Sequence, residues 1–175
     1  MDPQNPRDKD PKWSRITLPN RIRSSTSPYL LQYRTTTFLL YKGVGNDKQI
    51  YVARSTDGRQ WSISQPPRAF TNDPPTAAMY FDRNRKLGIL VAYKGHNNNY
   101  IWLRCSTDMG RTWKKLGYIQ GITSMMSPAL EKGPERWNHH LAFQPHNSND
   151  IRVGILDVDF KNPPDTAGHQ WRLLE

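Results

Sequence analysis

The sequence predicts an all-β fold, and three observations support this prediction. A pattern of about 50 residues recurs along the chain, with matching residues at matching places. Turn-forming residues are frequent, with 11 Gly and 14 Pro among 175 residues, and this frequency favours many short strands over long helices. No segment carries the sustained 3.6-residue periodicity of an amphipathic helix.

The repeat is clearest in two stretches of sequence. The stretch 35–58, TTTFLLYKGVGNDKQIYVARSTDG, aligns with the stretch 87–110, LGILVAYKGHNNNYIWLRCSTDMG. Each contains an apolar strand, a turn rich in Asn or Gly that is typical of hairpins, and a second apolar strand. An Asp-containing turn follows, and then a strand that begins at Trp61 or Trp113. The same order of elements is therefore predicted twice.

A third, weaker copy begins with the stretch 139–159, which has an apolar strand, an Asn-rich turn and another apolar strand. The segment DTAGHQWRLLE follows it, with Trp171 in the place of Trp61 and Trp113. A segment marked by Pro opens each copy, so each repeat is predicted to contain four short strands. Repeats of this length with four strands are typical of propeller blades.

The predicted organisation is therefore three blades per chain, preceded by an extra strand and a polar tail. The extra strand begins at Trp13 and resembles the fourth strand of a blade. The approximate bounds are 1–12 for the tail, 13–18 for the extra strand, and 27–65, 74–119 and 127–175 for the blades, with the repeats together covering 13–175.

The composition indicates a folded and basic chain. Aromatic residues make up 11%, including 6 Trp and 8 Tyr, whereas disordered chains are poor in aromatics. Lys and Arg number 25 against 15 Asp and Glu, which gives a formal net charge of +10. This charge favours anionic partners such as nucleic acid, acidic glycans or anionic membranes. Because it is scattered, without a long Lys or Arg run, the sequence disfavours nucleic acid.

Other sequence features exclude several classes of site. Cys105 is the single cysteine, so an intrachain disulfide and a zinc site built on cysteines are excluded. His139 and His140 are adjacent on a predicted strand and point to opposite faces, so we predict no metal site with His146. No nucleotide-binding motif is present, and we predict no cofactor.

The N-terminal segment MDPQNPRDKD has no apolar core of a signal peptide. This observation favours either a cytoplasmic protein or a processed form of a secreted one. No stretch approaches the ~20 apolar residues of a membrane-spanning helix. We therefore expect no membrane span.

The turn STDMGRTW at 106–113 matches the pattern S-x-D-x-G-x-T-W, which is called the Asp-box or BNR repeat. With this motif at this spacing, residues 13–175 resemble the repeats of sialidases and related sialidase-like β-propellers. The turn STDGRQW at 55–61 is one residue shorter and has Gln60 in the place of Thr. The third copy keeps Gly168 and Trp171, with Asp165 as the candidate for the Asp.

We assign these turns a structural role. An Asp side chain accepts hydrogen bonds from backbone N–H groups of the turn, Gly supplies a positive φ, and Trp buries a large ring. The resemblance implies that these turns lie on the face opposite the binding site. The structural residues are Ser55, Asp57, Gly58 and Trp61 in the first copy and Ser106, Asp108, Gly110, Thr112 and Trp113 in the second.

The resemblance also implies a ligand face, formed by the loops before the first strand and between the second and third strands of each blade. These loops are rich in side chains that hydrogen-bond sugar hydroxyls, and Arg binds carboxylates in bidentate fashion. For the Asn runs the alternative is that hairpin turns favour Asn. The candidate ligand-binding residues are Arg21, Arg23, Asp47, Asp73, Asn97 and Asn98.

Sialidase-type catalysis is the enzymatic alternative that the resemblance implies. It needs an arginine cluster, an acid/base carboxylate, and a Tyr nucleophile activated by Glu. Arg21 belongs to NRIR, a partial match to the R-I-P motif that opens a sialidase domain, and Asp47 lies near the place of the family's acid. If the protein is an enzyme, Arg21 and Asp47 are its candidate catalytic residues. The chain lacks the blades that carry the other catalytic groups, and its only Glu residues are Glu131, Glu135 and Glu175.

We therefore predict a non-catalytic, lectin-like module that binds a glycan, and the net charge favours an acidic one. The alternatives are a sialidase-like exo-glycosidase, or a fragment of one, whose site is completed by assembly, and a propeller scaffold that binds protein or nucleic acid. Three blades cannot close a ring, and exposed sheet edges associate. We therefore predict a homodimer or another homo-oligomer, unless the chain is a portion of a longer propeller.

Overall fold

The computed structural model describes residues 15–19, 21–64, 68–81, 86–134, 138–158 and 170–173. In these ranges the regular secondary structure consists of twelve β-strands. The first six strands are β1 Tyr29–Tyr33, β2 Thr36–Lys42, β3 Ile50–Ser55, β4 Ser62–Ser64, β5 Thr76–Phe81 and β6 Leu87–Lys94. The last six are β7 Tyr100–Ser106, β8 Lys114–Thr123, β9 Ala129–Lys132, β10 Asn138–Phe143, β11 Arg152–Asp157 and β12 Gln170–Leu173.

The strands form three antiparallel sheets of four strands each. Within each sheet the strands pair in chain order, β1 to β4, β5 to β8 and β9 to β12, so each sheet is a simple meander. Strand β5 contacts both β1 and β9, which places the first strands of the three sheets next to one another. The predictions of an all-β fold and of three four-stranded units are confirmed. Completion of a ring by oligomerisation stays a prediction.

Two apolar layers hold neighbouring sheets together. Phe38 and Leu40 of the first sheet pack against Ile89 and Val91 of the second. Successive side chains of a strand point to opposite faces, so Leu90 lies in the other layer, between the second and third sheets. The second sheet is thus buried on both faces, and this explains why β6 is an almost continuous apolar run rather than an alternating one.

The outer face of the first sheet is covered by the segment before β1. Ile22 is buried there against Leu39, Tyr41 and Ala53, and Leu18 packs against the same cluster. Residues 15–18 lie outside any strand in this structure, while Trp13 and the polar tail 1–12 lie outside the described residues. The N-terminal segment therefore covers an apolar sheet face without pairing as a strand in the part that is described. In the described ranges there is no helix of sufficient length and apolar character to span a membrane.

The turn between β7 and β8 is organised by Asp108 and Ser106. Asp108 Oδ1 accepts hydrogen bonds from the backbone N–H groups of Arg111 and Thr112 at 3.0 and 2.9 Å, and Asp108 Oδ2 accepts one from Thr112 Oγ1 at 2.6 Å. The Gly110 N–H donates to Ser106 Oγ at 2.8 Å. Gly110 has a φ of 80°, which a residue with a side chain adopts at a cost.

The turn between β3 and β4 has the same design. Asp57 Oδ1 accepts the N–H groups of Arg59 and Gln60, both at 2.8 Å, and the Gly58 N–H donates to Ser55 Oγ at 2.9 Å. In each turn the Trp indole N–H donates to a Gly carbonyl, Trp61 to Gly58 at 3.1 Å and Trp113 to Gly110 at 3.2 Å. The assignment of these turns to the sialidase Asp-box stays a prediction. Asp165 and Gly168 lie outside the described residues.

We expect the Asp108 carboxylate to stabilise the fold at neutral pH. Desolvation opposes its ionisation, but the hydrogen bonds from Thr112, Ser106 and Arg111 outweigh desolvation and lower the pKa of Asp108 from 3.8 to about 2. Its contribution is therefore complete above pH 3.8 and is lost as the pH falls through the folded pKa of about 2. We predict that Asp108→Asn lowers the free energy of unfolding at pH 7 by about 1 to 2 kcal/mol.

Urea unfolding at pH 7 and pH 3 measures this effect. The difference between wild type and Asp108→Asn should be smaller at pH 3 than at pH 7. Asp157→Asn is the control, because Asp157 is exposed and its ion pair with Arg172 is long at 3.9 Å. Equal losses for the two variants at pH 7 would contradict the assigned role.

Candidate functional site

Two clefts open at the end of the sheets opposite the Asp-containing turns. The first cleft has a volume of about 410 Å³ and the second of about 240 Å³. The first cleft is lined by Arg21, Arg23, Tyr41, Gly43, Val44, Asp47, Tyr51 and Ile63. The second cleft is lined by Arg68, Phe70, Tyr93, Gly95, His96, Asn97, Asn98, Trp102, Arg104 and Lys115. Loops before a first strand and between a second and third strand contribute to both clefts.

The two clefts are built on equivalent positions of successive sheets. In the first sheet Tyr41 of β2 is directly opposite Tyr51 of β3. In the second sheet Tyr93 of β6 is directly opposite Trp102 of β7. The first and second clefts therefore each contain a cross-strand pair of aromatic rings at the same register. This repetition follows from the sequence repeat, in which YKG recurs at 41–43 and 93–95.

A short polar side chain orients the second ring in each cleft. Tyr51 Oη donates a hydrogen bond to Asp47 Oδ2 at 2.8 Å, and Trp102 Nε1 donates to Asn98 Oδ1 at 3.1 Å. Asp47 and Asn98 also accept the backbone N–H two residues further on, at 3.0 and 3.1 Å. Each of these two side chains therefore fixes both the hairpin turn and the aromatic ring.

Gly43 and Gly95 leave the space that this arrangement needs. A Cβ atom on Gly43 would overlap the Asp47 side chain. A Cβ atom on Gly95 would lie 2.5 Å from Asn98 Oδ1 and 2.8 Å from Trp102 Nε1. Any larger residue at position 95 would therefore displace Trp102 or Asn98 from their hydrogen bond.

The lysines that end β2 and β6 fix the surrounding loops. Lys94 Nζ forms an ion pair with Asp73 Oδ2 at 3.2 Å. Lys42 is buried, and its Nζ donates to Ser25 Oγ at 2.8 Å and to the Gly43 and Gly45 carbonyls, both at 3.1 Å. Asp73 is thus neutralised by Lys94 and does not line either cleft.

Among the described residues that line it, the first cleft combines guanidinium groups, phenols and one carboxylate. The Tyr41 and Tyr51 rings are stacked, with centroids 5.5 Å apart and 21° between planes. Burial, together with the neighbouring Tyr51 and Asp47, raises the pKa of Tyr41 to about 12, and Arg21 opposes this shift. The hydrogen bond to Asp47 raises the pKa of Tyr51. Both phenols therefore stay protonated and act as neutral hydrogen-bonding groups at physiological pH.

The second cleft is basic. Lys115 Nζ lies 4.7 Å from the centroid of the Trp102 ring, which is within cation–π range. Arg104 donates to Tyr93 Oη at 3.4 Å and to the backbone carbonyl of Arg68. Burial raises the pKa of Tyr93, although Arg104 opposes the shift. With Arg68 exposed at the rim and no Asp or Glu among the described lining residues, the cleft has an excess of positive charge.

The third sheet does not repeat the aromatic pair. At the equivalent register Phe143 of β10 is opposite Arg152 of β11, and Phe143 is buried between the second and third sheets. Arg152 therefore stands in the third sheet where Tyr51 and Trp102 stand in the first and second sheets. Among the described residues no group of three His, Cys, Asp or Glu side chains is placed to hold a metal ion.

The structure brings together some of the residues selected from the sequence. Arg21, Arg23 and Asp47 line the first cleft, and Asn97 and Asn98 line the second. Sequence reasoning missed the rings and most of the cations. The missed lining residues include Tyr41, Tyr51, Arg68, Phe70, Trp102, Arg104 and Lys115. The alignment of Tyr41 and Tyr51 with Tyr93 and Trp102 was the signal that could have identified the rings.

Neither protein-family models nor curated proteins match this sequence. Solved structures match it in fold. The chain is similar to a fucose lectin from Kordia zhangzhouensis in complex with methyl-fucoside, with a TM-score of 0.57 and 10% identity, over 84% of this chain and 96% of that one. It is also similar to an exo-β-1,3-galactanase from Phanerochaete chrysosporium with galactose, with a TM-score of 0.59 and 12% identity, over 81% of this chain and 37% of that one.

A third similar structure is a glycoside hydrolase family 43 arabinoxylan arabinofuranohydrolase from Bacillus subtilis. The TM-score is 0.56 at 14% identity, over 85% of this chain and 40% of that one. The chain therefore spans less than half the length of both hydrolases. These neighbours are β-propeller folds of lectin and glycoside hydrolase type. The propeller-like fold is thus supported, and the narrower likeness to sialidases stays a prediction.

Proposed function

We propose that the protein is a lectin-like module that binds glycans in its two clefts, and that the second cleft selects an acidic sugar. The observation that carries this proposal is the setting of Trp102. Its partly exposed ring is held by Asn98 in a cleft that Arg68, Arg104 and Lys115 also line, and no carboxylate is among the lining residues that the structure describes.

The chemistry of the second cleft fits a sugar carboxylate. An aromatic ring packs against the apolar C–H face of a sugar, and the indole is already fixed before a ligand arrives, which reduces the entropy cost of binding. Guanidinium groups bind carboxylates through paired N–H donors. The net charge of +10 attracts anionic glycans to the surface as well.

The first cleft supports binding of sugar hydroxyls. Asp47 accepts hydrogen bonds, and Arg21 and Arg23 donate them, around the stacked Tyr41 and Tyr51 rings. Two of the structural neighbours are described with a sugar, the fucose lectin with methyl-fucoside and the galactanase with galactose. The shared fold makes a sugar ligand a reasonable expectation for this chain.

Hydrolysis in the first cleft is the second candidate function. The Tyr51–Asp47 hydrogen bond beside Arg21 places a phenol, a carboxylate and a guanidinium together, as a sialidase-type site requires. However, the pKa of Tyr51 is raised, and a phenol that holds its proton is a weak nucleophile. Asp47 is also the only carboxylate among the described residues that line this cleft. These features favour binding over catalysis.

Saturation-transfer NMR tests the proposal with sialyllactose, galacturonic acid and methyl-fucoside, each followed for a day. We expect saturation transfer to the acidic sugars without turnover. Lys115→Glu should weaken acidic-sugar binding at least tenfold, because the exposed side chain then repels the ligand. Trp102→Ala should weaken binding about tenfold to a hundredfold. Tyr33→Ala, which changes a partly buried ring on β1 away from both clefts, is the control.

Each other outcome points to a different function. Release of sialic acid would favour hydrolysis and would require tests of Arg21 and Asp47. Absence of saturation transfer to all three sugars would contradict the lectin proposal and leave the alternative of a scaffold that binds protein or nucleic acid. Binding of polyanions that falls steeply with salt would indicate nucleic acid as the ligand.

We also propose a homo-oligomer, because the three described sheets do not close a ring. Ile151, just before β11, is 74% exposed, and Val153, within β11, is 42% exposed. Exposed apolar side chains on a sheet favour association. Native mass spectrometry at micromolar concentration measures the assembly. A single species at the mass of one chain would contradict this proposal.

A further inference from the structure

A row of aromatic rings continues from the second cleft along the outer strands of the second sheet. Tyr100 of β7 and Tyr118 of β8 are stacked, with ring centroids 4.7 Å apart and 28° between planes. Tyr118 also meets Trp102 edge to face, with centroids 5.3 Å apart and 61° between planes. We call Trp102, Tyr118 and Tyr100 the aromatic row.

The row is exposed to solvent, although its members are large. Tyr100 is 40% exposed and Tyr118 is 38% exposed. The opposite face of the same strands is filled by Ile101, Leu103 and Ile119, which are fully buried between the second and third sheets. The exposed rings therefore add little to the core. Exposed apolar groups at a sheet edge also favour aggregation, so stability alone does not explain these rings.

An irregularity of the strand pairing brings the rings together. Tyr100 is paired with Thr123 and Trp102 with Tyr118, so the register shifts between these two positions of β7. Gly121, with a φ of 72°, lies in the part of β8 that absorbs the extra residues. Such bulges bend a strand and change the direction of its side chains. Here the shift places Tyr118 within contact distance of both Trp102 and Tyr100.

We propose that the aromatic row extends the second cleft into a binding site for a chain of sugars. The acidic unit lies in the cleft beside Lys115 and Arg104, and the following units pack on Tyr118 and Tyr100. Lys115, which lies over Trp102 where the row enters the cleft, matches an acidic chain rather than an apolar protein surface. This inference rests on the proposed function and adds the ligand's length to it.

Isothermal titration with galacturonic acid and with di-, tri- and tetragalacturonic acid tests the inference. We expect the affinity to rise about 25-fold from the monomer to the trimer, because each of the two rings adds a factor of about five. Tyr118→Ala and Tyr100→Ala should lower the tetramer's affinity about fivefold to tenfold and leave the monomer's affinity unchanged. Tyr33→Ala should change neither value.

The outcomes separate this inference from the proposed function. Equal affinity for all four chain lengths would overturn the extended site and leave the cleft as a site for one sugar. A Tyr118→Ala variant that weakens monomer and tetramer equally would also overturn it, since the ring would then act on the cleft itself. Absence of binding by the monomer and by every chain would overturn the proposed function.

Discussion

We expect the free energy of unfolding to fall by about 3 kcal/mol between pH 7 and pH 4 because of one buried histidine. His139 of β10 is completely buried, and neither ring nitrogen forms a hydrogen bond of good geometry within the described residues, although the Met79 backbone lies close enough to interact with the ring. Desolvation lowers the pKa of His139 from 6.5 to about 4; Lys132 and His140 contribute in the same direction, and the Met79 backbone opposes them. The imidazole is therefore neutral in the folded protein at moderately acidic pH.

The direction of the pH effect follows from the proton count. In the unfolded chain His139 takes up a proton below pH 6.5, whereas in the folded chain it does so only near pH 4. The unfolded state therefore binds more protons between these values, and stability falls as the pH falls. Asp108 adds little in this interval, because most of its contribution is lost below pH 3.8, as the pH falls toward its folded pKa of about 2.

Urea unfolding at pH 7, 6, 5 and 4 measures this effect. His139→Leu should remove most of the decrease, because an apolar side chain of similar size carries no proton. His140→Leu is the matched control, since the neighbouring residue on β10 is partly exposed and points to the other face. An unchanged pH dependence in His139→Leu would show that the decrease arises elsewhere.

The second large effect is expected from Leu103→Ala. Leu103 is fully buried in the layer between the second and third sheets, together with Leu90, Leu141 and Leu156. Removing its side chain leaves a cavity in a layer that is apolar on both sides, and the expected loss is about 3 kcal/mol. The second sheet cannot move toward the third to fill this cavity without leaving the first.

Urea unfolding at pH 7 measures this loss, and Leu30→Ala is the control. Leu30 lies on β1 with 63% of its surface exposed, so its truncation should cost less than about 0.5 kcal/mol. A Leu103→Ala variant no less stable than Leu30→Ala would indicate that the second and third sheets do not depend on this contact.

Much of the fold could be predicted from the sequence, because the apolar runs and the turn residues indicate the same strands and hairpins. The apolar runs of β2, β3, β6 and β7, with Asn- or Gly-rich turns between them, predict hairpins without knowledge of their neighbours. The conformation of the segment 13–18 is harder to predict. Its likeness to the Trp-led fourth strands predicts a strand. In the structure Leu18, and Ile22 after it, pack on the first sheet instead, and the sequence pattern does not distinguish a paired strand from a segment that packs on a sheet face.

The candidate site could be predicted only in part. Arg21, Arg23 and Asp47 are candidates because they lie in polar loops of the ligand face that the sialidase resemblance implies, Arg21 within the partial R-I-P match. The positions of Arg104 and Lys115 beside Trp102 depend on how two strands and a preceding loop meet, which local patterns do not specify. Asp73 was selected on the same grounds as Asp47, yet its carboxylate pairs with Lys94. The register shift that creates the aromatic row depends on the pairing of β7 with β8 and is not visible in either strand alone.

Under the proposed function, two clefts of equivalent construction on successive sheets would make a single chain bivalent. A glycan that presents several sugar ends, or a surface that displays many copies, would then occupy both clefts at once. The second contact is then intramolecular, and the effective concentration of the second sugar is set by the fixed spacing of one sheet from the next. Avidity of this kind can exceed the affinity of one cleft by about 10² to 10⁴. Weak affinity of each cleft is then compatible with slow release from a multivalent surface.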